Sequence, residues 1–188
     1  MLPDQIRNFR EMVTLKDGAH VLLRPMVKED HAHLNELYGP VGEDDMRYFR
    51  HNVKDPRVLQ EWCDKLDYNV VMPVLALVKD RAVGSGSLHF MNGPKRHMGE
   101  VRLFLSKEYR MRGVGMKILR VLVDFARRQG LSLLTAEIIA DKTKVIRAFE
   151  QVGFKSRCAL ADYFMVPDGD CSDVVLMTME LKPRGEEF

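Results

Sequence analysis

Cysteines are few in this sequence, long apolar runs are absent, and charges of the two signs nearly balance. The three cysteines, Cys63, Cys158 and Cys171, show no CxxC spacing. This argues against a disulfide framework or a metal site and favours free thiols in a reducing compartment such as the cytoplasm. No apolar run approaches the roughly 20 residues of a membrane span, and the N-terminus lacks an apolar signal segment. The net charge of +2 does not indicate a broad nucleic-acid-binding surface. We therefore expect no metal, no membrane contact and no nucleic-acid partner.

Apolar and β-branched runs predict strands in this chain, and apolar residues at helical spacing predict helices. Residues 1–12 are expected to form a short helix or a loose arm, and residues 41–54 a short helix or one wall of a cleft. The predicted strands are 20–24, 70–78, 82–91, 97–106, 131–139, 155–159 and 173–181. The predicted helices are 31–38, 56–66, one that begins at residue 114 and one that Asp141 caps.

The chain has 188 residues, 46% of them hydrophobic, which is enough for one well-buried core. It shows no repeat, linker or low-complexity tract, so we predict a single domain over residues 1–188 with its core at about 18–182. The order of the elements indicates an α/β protein with a mixed central sheet of about seven strands and helices on both faces.

Residues 97–129 predict a strand, a turn and a long amphipathic helix, with two glycines where the helix starts. A helix N-terminus carries unpaired N–H groups and a partial positive charge, so Gly113 and Gly115 leave room for an anion against the backbone. Arg110 and Arg112 add positive charge. The turn is not a Walker loop, since no Gly-Lys-Ser/Thr follows, nor a dinucleotide fingerprint, since Ile118 replaces the third glycine. It indicates a pyrophosphate site; the alternative is a closely packed strand–helix corner.

Two motifs in the second half of the chain resemble those of a known superfamily. Residues 110–115, RMRGVG, are similar to the acyl-CoA pyrophosphate loop of the Gcn5-related N-acetyltransferases (GNAT), and residues 149–154, FEQVGF, to their closing motif. The resemblance extends over roughly residues 18–182. It is closest to the protein-lysine acetyltransferase branch, whose signatures are similar to residues 15–18, LKDG, and 46–50, MRYFR. The resemblance implies the acyl-CoA N-acyltransferase fold and acetyl-CoA as cosubstrate.

The resemblance also implies which residues contact acetyl-CoA. Backbone amides from Arg112 to Met116 would take the pyrophosphate. Phe104 and Leu105 would pair with the pantetheine arm like an extra strand, admitted by a splay between strands 101–105 and 132–138. The residues assigned to the cosubstrate in this way are Phe104, Leu105, Arg110, Arg112, Gly113, Val114, Gly115, Met116 and Phe149.

Glu100 is the candidate general base, because it lies ten residues before Arg110, the spacing that the resemblance implies for the catalytic glutamate. An alkyl amine with a pKa of about 10.4 is mostly protonated at neutral pH and must lose a proton before it attacks a thioester. A glutamate in a partly dry cleft, with its pKa raised toward neutrality, would accept that proton. The alternative is a structural ion pair between Glu100 and Arg102 on one strand face.

The general acid is where the chain departs from the family. Many members have tyrosine at the position of Phe149, which has no proton to give. Either Tyr163 protonates the leaving thiolate, or the thiolate leaves unassisted, since a thiol with a pKa of about 8.5 is a tolerable leaving group. Tyr163 is otherwise a core or rim aromatic. Lys142, Lys144 and Arg147 either reach the CoA phosphates or form a solvated helix face.

The predicted function is an enzyme, an acyltransferase that moves acetyl from acetyl-CoA to the primary amine of a protein lysine or a small molecule. The acidic residues 43–45 and Asp162 would favour a cationic acceptor, or are solvated surface. One alternative is a non-catalytic acyl-CoA sensor, which the phenylalanine at position 149 motivates. Another is an unrelated nucleotide-phosphate binder. Because dimers are common in the superfamily, the resemblance also allows a homodimer.

Overall fold

The computed structural model describes residues 7–166 and 169–181. Two short 3₁₀ turns, Gly93–Lys95 and Lys107–Tyr109, flank the fifth strand. The helices are α1 (His31–Tyr38), α2 (Glu43–Met46), α3 (Pro56–Asp64), α4 (Val114–Arg128) and α5 (Thr143–Val152). The strands are β1 (Glu11–Thr14), β2 (His20–Pro25), β3 (Val71–Val78), β4 (Arg81–Phe90), β5 (Met98–Leu105), β6 (Leu133–Ile139), β7 (Lys155–Met165) and β8 (Cys171–Glu180).

One eight-stranded mixed sheet runs through the molecule in the order β1-β2-β3-β4-β5-β6-β8-β7. Neighbouring strands are antiparallel except β5 and β6, which are parallel because α4 connects them. This confirms the predicted α/β class and mixed sheet. The eighth strand is β1, which pairs with β2, Glu11 opposite Leu23. Its first two residues end the segment 1–12, for which we predicted a short helix or loose arm; residues 1–6 of that segment lie outside the described part of the chain. Strand β7 is also longer than predicted, since its pairing with β8 extends to Met165.

Helix α4 packs on one face of the sheet, against β4 and β5. Its buried side begins at Val114 and includes Ile118 and Leu122. A Cβ atom on Gly86 of β4 would collide with Ile118 and Leu122 of the helix. A Cβ atom on Gly84 would collide with Leu105. Gly86 therefore lets the helix approach the strand closely, whereas Gly84 leaves room for Leu105 of β5.

The other face is covered by α1 and α3 over an aromatic cluster. Tyr38 stacks on Phe104, with ring centroids 5.2 Å apart, and meets Phe49 and Trp62 edge-on. The Tyr38 hydroxyl lies 2.7 Å from Oγ of Ser85, and burial raises the pKa of Tyr38 to about 12. The cluster anchors the loop that follows α2 against β5.

The parallel strands β5 and β6 pair only at their beginnings, at Met98–Leu133, Gly99–Leu134 and Glu100–Thr135. Beyond Glu100 they separate, while β6 continues to pair with β8 as far as Ile139. The splay predicted from the family resemblance is thus present. It leaves one edge of β5 open inside the sheet, between Glu100 and the start of α4.

Helix α5 begins differently from the prediction. Asp141 was expected to cap it, but the N-cap residue is Lys142, and its side chain makes no capping hydrogen bond. The main chain supplies the contact instead, because the amide of Thr143 donates to the carbonyl of Asp141.

Candidate active site between the diverging strands

Two glycines shape the start of α4, each for a different reason. Gly113 is the N-cap residue in the left-handed region, with φ of +91°, which a side chain disfavours. Gly115 permits close packing, because a Cβ there would lie 3.1 Å from Leu103 and 3.2 Å from Leu105. The first helical hydrogen bond runs from the amide of Lys117 to Gly113. The N–H groups of residues 114–116 therefore have no acceptor within the helix, as an anion site requires.

The arginines of this turn are ion-paired with carboxylates from other elements. Arg110 donates to Asp45, with Nη2 2.6 Å from Oδ2, and through Nε to the carbonyl of Leu105 at 3.1 Å. Arg112 Nε lies 2.7 Å from Oδ2 of Asp17, and its guanidinium covers the Tyr109 ring at 4.5 Å. The arginine side chains thus hold the turn in place through contacts within the protein.

The open edge of β5 presents the backbone of alternate residues. The amide of Ser106 donates to the carbonyl of Val83 on β4 at 3.1 Å. Because strand backbone groups alternate in direction, those of Phe104 also face β4, whereas those of Leu103 and Leu105 face the splay. Phe104 was predicted to pair with the cosubstrate through its backbone. Its amide belongs to the β4–β5 ladder instead, and its ring lies in the aromatic cluster.

Glu100 lies at the last residue pair before β5 and β6 part, and it is only 7% exposed. Arg102 donates from Nε to Oε1 at 2.8 Å and from Nη2 to Oε2 at 3.1 Å. Arg50 donates from Nη2 to Oε1, also at 2.8 Å. The predicted alternative, an ion pair with Arg102, is therefore present at the same position that the family resemblance assigns to the base.

The expected rise in the pKa of Glu100 is wrong for this arrangement. Burial alone would raise this pKa, but the hydrogen bonds from Arg102 and the charges of Arg102 and Arg50 outweigh burial and lower it. Glu100 is consequently a carboxylate at neutral pH, ready to accept a proton but less basic than a glutamate in an apolar pocket.

Three residues that the sequence did not single out for chemistry surround Glu100. Glu137 on β6 lies 3.2 Å from Nη2 of Arg50, which thus bridges both carboxylates. His89 lies opposite Glu100 on β4 and pairs with Ser87 at 2.9 Å. Burial and the nearby charge of Arg102 lower the pKa of His89 to about 4. The imidazole is therefore neutral at pH 7.

Tyr163 lies on β7, not in the loop that we predicted, and it is 49% exposed. Its hydroxyl donates to Oε1 of Glu137 at 3.3 Å. The negative charge of Glu137 raises the pKa of Tyr163, so the phenol holds its proton more tightly. Arg50 and Tyr163, together with Phe49 and Phe164, line a cavity of about 180 Å³, and both Arg50 and Tyr163 also contact Glu137.

Phe149 lies on α5, 3% exposed, and packs edge-on against Phe154 at 5.1 Å. It supplies no proton. Lys142 pairs with Asp141 and lies 5.6 Å above the Tyr48 ring, so it contacts the loop after α2. Lys144 and Arg147 are exposed on α5.

Residues 7–166 and 169–181 contain neither a cluster of metal-ligating side chains nor a membrane-spanning helix. No three His, Cys, Asp or Glu side chains in these ranges converge as metal ligands would. None of the helices described there is both long and apolar enough to cross a membrane.

Residues 29–154 match the sequence model of the acetyltransferase (GNAT) family. The GNAT domain of PAT from S. lividans shares 19% identity at a TM-score of 0.75, with 96% of this chain and 100% of that chain covered. The protein yncA from Salmonella typhimurium, solved with its cofactor acetyl-CoA, shares 18% identity at a TM-score of 0.75, covering 95% and 98%. Ribosomal-protein-S5-alanine acetyltransferase from Vibrio fischeri shares 18% identity at a TM-score of 0.76, covering 92% and 100%. At these identities the solved structures show a shared fold.

Proposed function

Because this chain belongs to the acetyltransferase (GNAT) family and is therefore an N-acetyltransferase that uses acetyl-CoA, we propose that it acetylates a primary amine with Glu100 as general base. The acceptor is a protein lysine or a small amine. One observation supports the base assignment above all. Glu100 is a deprotonated carboxylate at the point where β5 and β6 separate, so it lies at the end of the open strand edge, and its partner Arg50 lines the cavity.

We assign the cosubstrate to the open edge and the start of α4. The pyrophosphate lies against the N–H groups of residues 114–116, where the helix dipole favours negative charge. The pantetheine arm runs along β5 and hydrogen-bonds to the backbone of Leu103 and to the amide of Leu105, which face the splay; the carbonyl of Leu105 already accepts from Arg110. This path leads from the helix toward Glu100, about 16 Å along the strand from Leu105.

The transfer is a direct attack. The acceptor ammonium loses a proton to Glu100, directly or through water, and the free amine attacks the thioester carbon. A C–N bond forms and the C–S bond breaks. The nitrogen then loses its second proton to become an amide, and this proton neutralises the departing CoA thiolate. We propose that the thiolate leaves without an acid, because Phe149 carries no proton and the hydroxyl of Tyr163 is engaged with Glu137.

The test is Glu100→Gln, which keeps the shape of the side chain and removes its basicity. The acceptor probe is n-butylamine, a stand-in for the lysine side chain, and CoA thiol release is followed with a thiol reagent. We expect kcat to fall about 100-fold or more, while the dissociation constant for acetyl-CoA stays unchanged. Glu61→Gln on the exposed face of α3 is the matched control. Turnover of Glu100→Gln close to that of the control would remove the base assignment.

A further inference from the structure

One nitrogen of Arg50 contacts two carboxylates from neighbouring strands. Nη2 lies 2.8 Å from Oε1 of Glu100 and 3.2 Å from Oε2 of Glu137. Arg50 comes from the loop between α2 and α3, not from either strand. The point between the carboxylates thus already accommodates a cationic N–H donor, which is the chemistry of a protonated primary amine.

Glu100 does not depend on Arg50 for a partner. Arg102 donates to both oxygens of Glu100, and it does so from the same strand, where its backbone is fixed by the ladder with β4. The side chain of Arg50 is 46% exposed and borders the cavity of about 180 Å³. Arg102 is less exposed, at 34%, and is fixed by its own strand, so Arg50, which is held by a loop, is the partner that leaves most readily.

The charges favour an exchange of one cation for another. With Arg50 in place, two carboxylates face two guanidinium groups, and the neighbouring His89 is neutral at pH 7. When Arg50 turns away, Glu100 and Glu137 retain only Arg102, which leaves a net charge of −1. A single alkylammonium restores neutrality, whereas an anionic acceptor does not.

We propose that Arg50 occupies the ammonium position of the acceptor in the free enzyme, and that the acceptor displaces it and is held by Glu137 beside Glu100. Glu137 is then a specificity-determining residue for cationic primary amines, and Arg50 is an internal competitor. This inference rests on the proposed acetyltransferase site, and it identifies the class of acceptor that the site takes.

The test compares KM with kcat in Arg50→Ala and Glu137→Gln, using n-butylamine and 4-aminobutyrate as acceptors. We expect Arg50→Ala to lower the KM for n-butylamine about fivefold, the effect of removing one half-exposed ion pair. We expect Glu137→Gln to raise this KM about tenfold or more, the effect of losing a hydrogen bond to a charged group, with kcat nearly kept. Arg57→Ala, an exposed arginine of α3, is the control and should change neither constant.

Three outcomes would overturn the inference. The first is a higher KM for n-butylamine in Arg50→Ala. The second is an effect of Arg50→Ala confined to a higher KM for 4-aminobutyrate, which would show that Arg50 binds the carboxylate of an acceptor. The third is an unchanged KM in Glu137→Gln. Acetyl-CoA binding measured on each variant confirms that the protein is folded.

Failure of the base assignment and failure of the acceptor site give different combinations of kcat and KM effects. If Glu100→Gln turns over normally while the KM effects of Arg50→Ala and Glu137→Gln appear, the acceptor site stands and the base assignment falls. If Glu100→Gln is inactive and the KM values of Arg50→Ala and Glu137→Gln equal that of the wild type, the base assignment is supported and the acceptor site is contradicted.

Discussion

Arg102 donates hydrogen bonds to both carboxylate oxygens of Glu100, which lies two positions earlier on the same strand. Residues i and i+2 of a strand point to the same face, so the guanidinium reaches the carboxylate without any help from a distant element. The contact fixes the orientation of the carboxylate and keeps it ionised. Orientation and ionisation are what a proton acceptor at neutral pH needs, and the lowered pKa reduces its basicity.

Arg102→Gln should make the enzyme sensitive to mild acid. In the wild type the pKa of Glu100 lies below its usual value of about 4.3, so the base is ionised at pH 5 and above. Loss of the adjacent positive charge should raise this pKa. A raised pKa means that a larger fraction of Glu100 is protonated as the pH falls, so kcat/KM should decline at pH 5–6 in the variant. A profile of kcat/KM from pH 5 to 9 measures this, and superimposable acidic limbs would contradict the expectation.

Asp30→Asn should destabilise the fold without touching the active site. Asp30 is 2% exposed and accepts two hydrogen bonds of 2.6 Å from Arg24 and one from the amide of Val27. The substitution leaves a largely buried guanidinium without its counter-charge, which should lower the free energy of unfolding by about 3 kcal/mol at pH 7. Asp124→Asn on the exposed side of α4 is the control and should stay within about 0.5 kcal/mol.

The ion pair between Asp30 and Arg24 also predicts how the stability difference between wild type and Asp30→Asn depends on pH. Burial alone would raise the pKa of Asp30, but the hydrogen bonds from Arg24 and Val27 outweigh burial and lower it. A lowered pKa in the folded state stabilises the protein above the unfolded value of about 3.9, and this contribution is lost as the pH falls through the folded pKa. Urea unfolding at pH 7 and at pH 3 should therefore show the difference between wild type and Asp30→Asn narrowing in acid. An equal difference in the free energy of unfolding at both pH values would mean that the ion pair is not the source of that difference.

Tyr163→Phe should leave kcat within about threefold of the wild type, far less than the 100-fold or more expected when a general acid is lost. The hydroxyl donates to Glu137, and the charge of that carboxylate makes the phenol a weaker acid. Steady-state turnover with n-butylamine at saturating acetyl-CoA measures the effect. A fall of about 100-fold would instead identify Tyr163 as the group that protonates the thiolate.

Local signals in the sequence account for the central part of the fold. The apolar spacing from Val114 onward predicts α4, and the glycine pair at its start has the backbone conformation and the close packing that such a turn needs. The parallel pairing of β5 with β6 follows from the helix between them. The position of Glu100 at the splay agrees with the family resemblance.

Contacts between distant segments account for what was missed. Arg50 is 50 positions from Glu100 and 87 from Glu137, so no local pattern reveals that they meet, or that they and Arg102 lower the pKa of Glu100. Glu137 is the one acidic residue of β6, and a carboxylate within an apolar strand could have indicated a functional side chain. Strand β1 has only four residues and is held by pairing with β2, so its first two residues could not be distinguished from the end of a loose arm.

Hydrogen exchange of backbone amides with and without acetyl-CoA tests the site between β5 and β6 most directly. Ligand at a hundred times its dissociation constant leaves about 1% of the protein free. The amides of Leu103, Leu105 and residues 114–116 should therefore exchange about 100-fold more slowly, while those of the edge strand β7 should not change. ATP at the same concentration should protect none of them. Unchanged exchange at residues 114–116, or equal protection by ATP, would contradict the assignment of acetyl-CoA to this site.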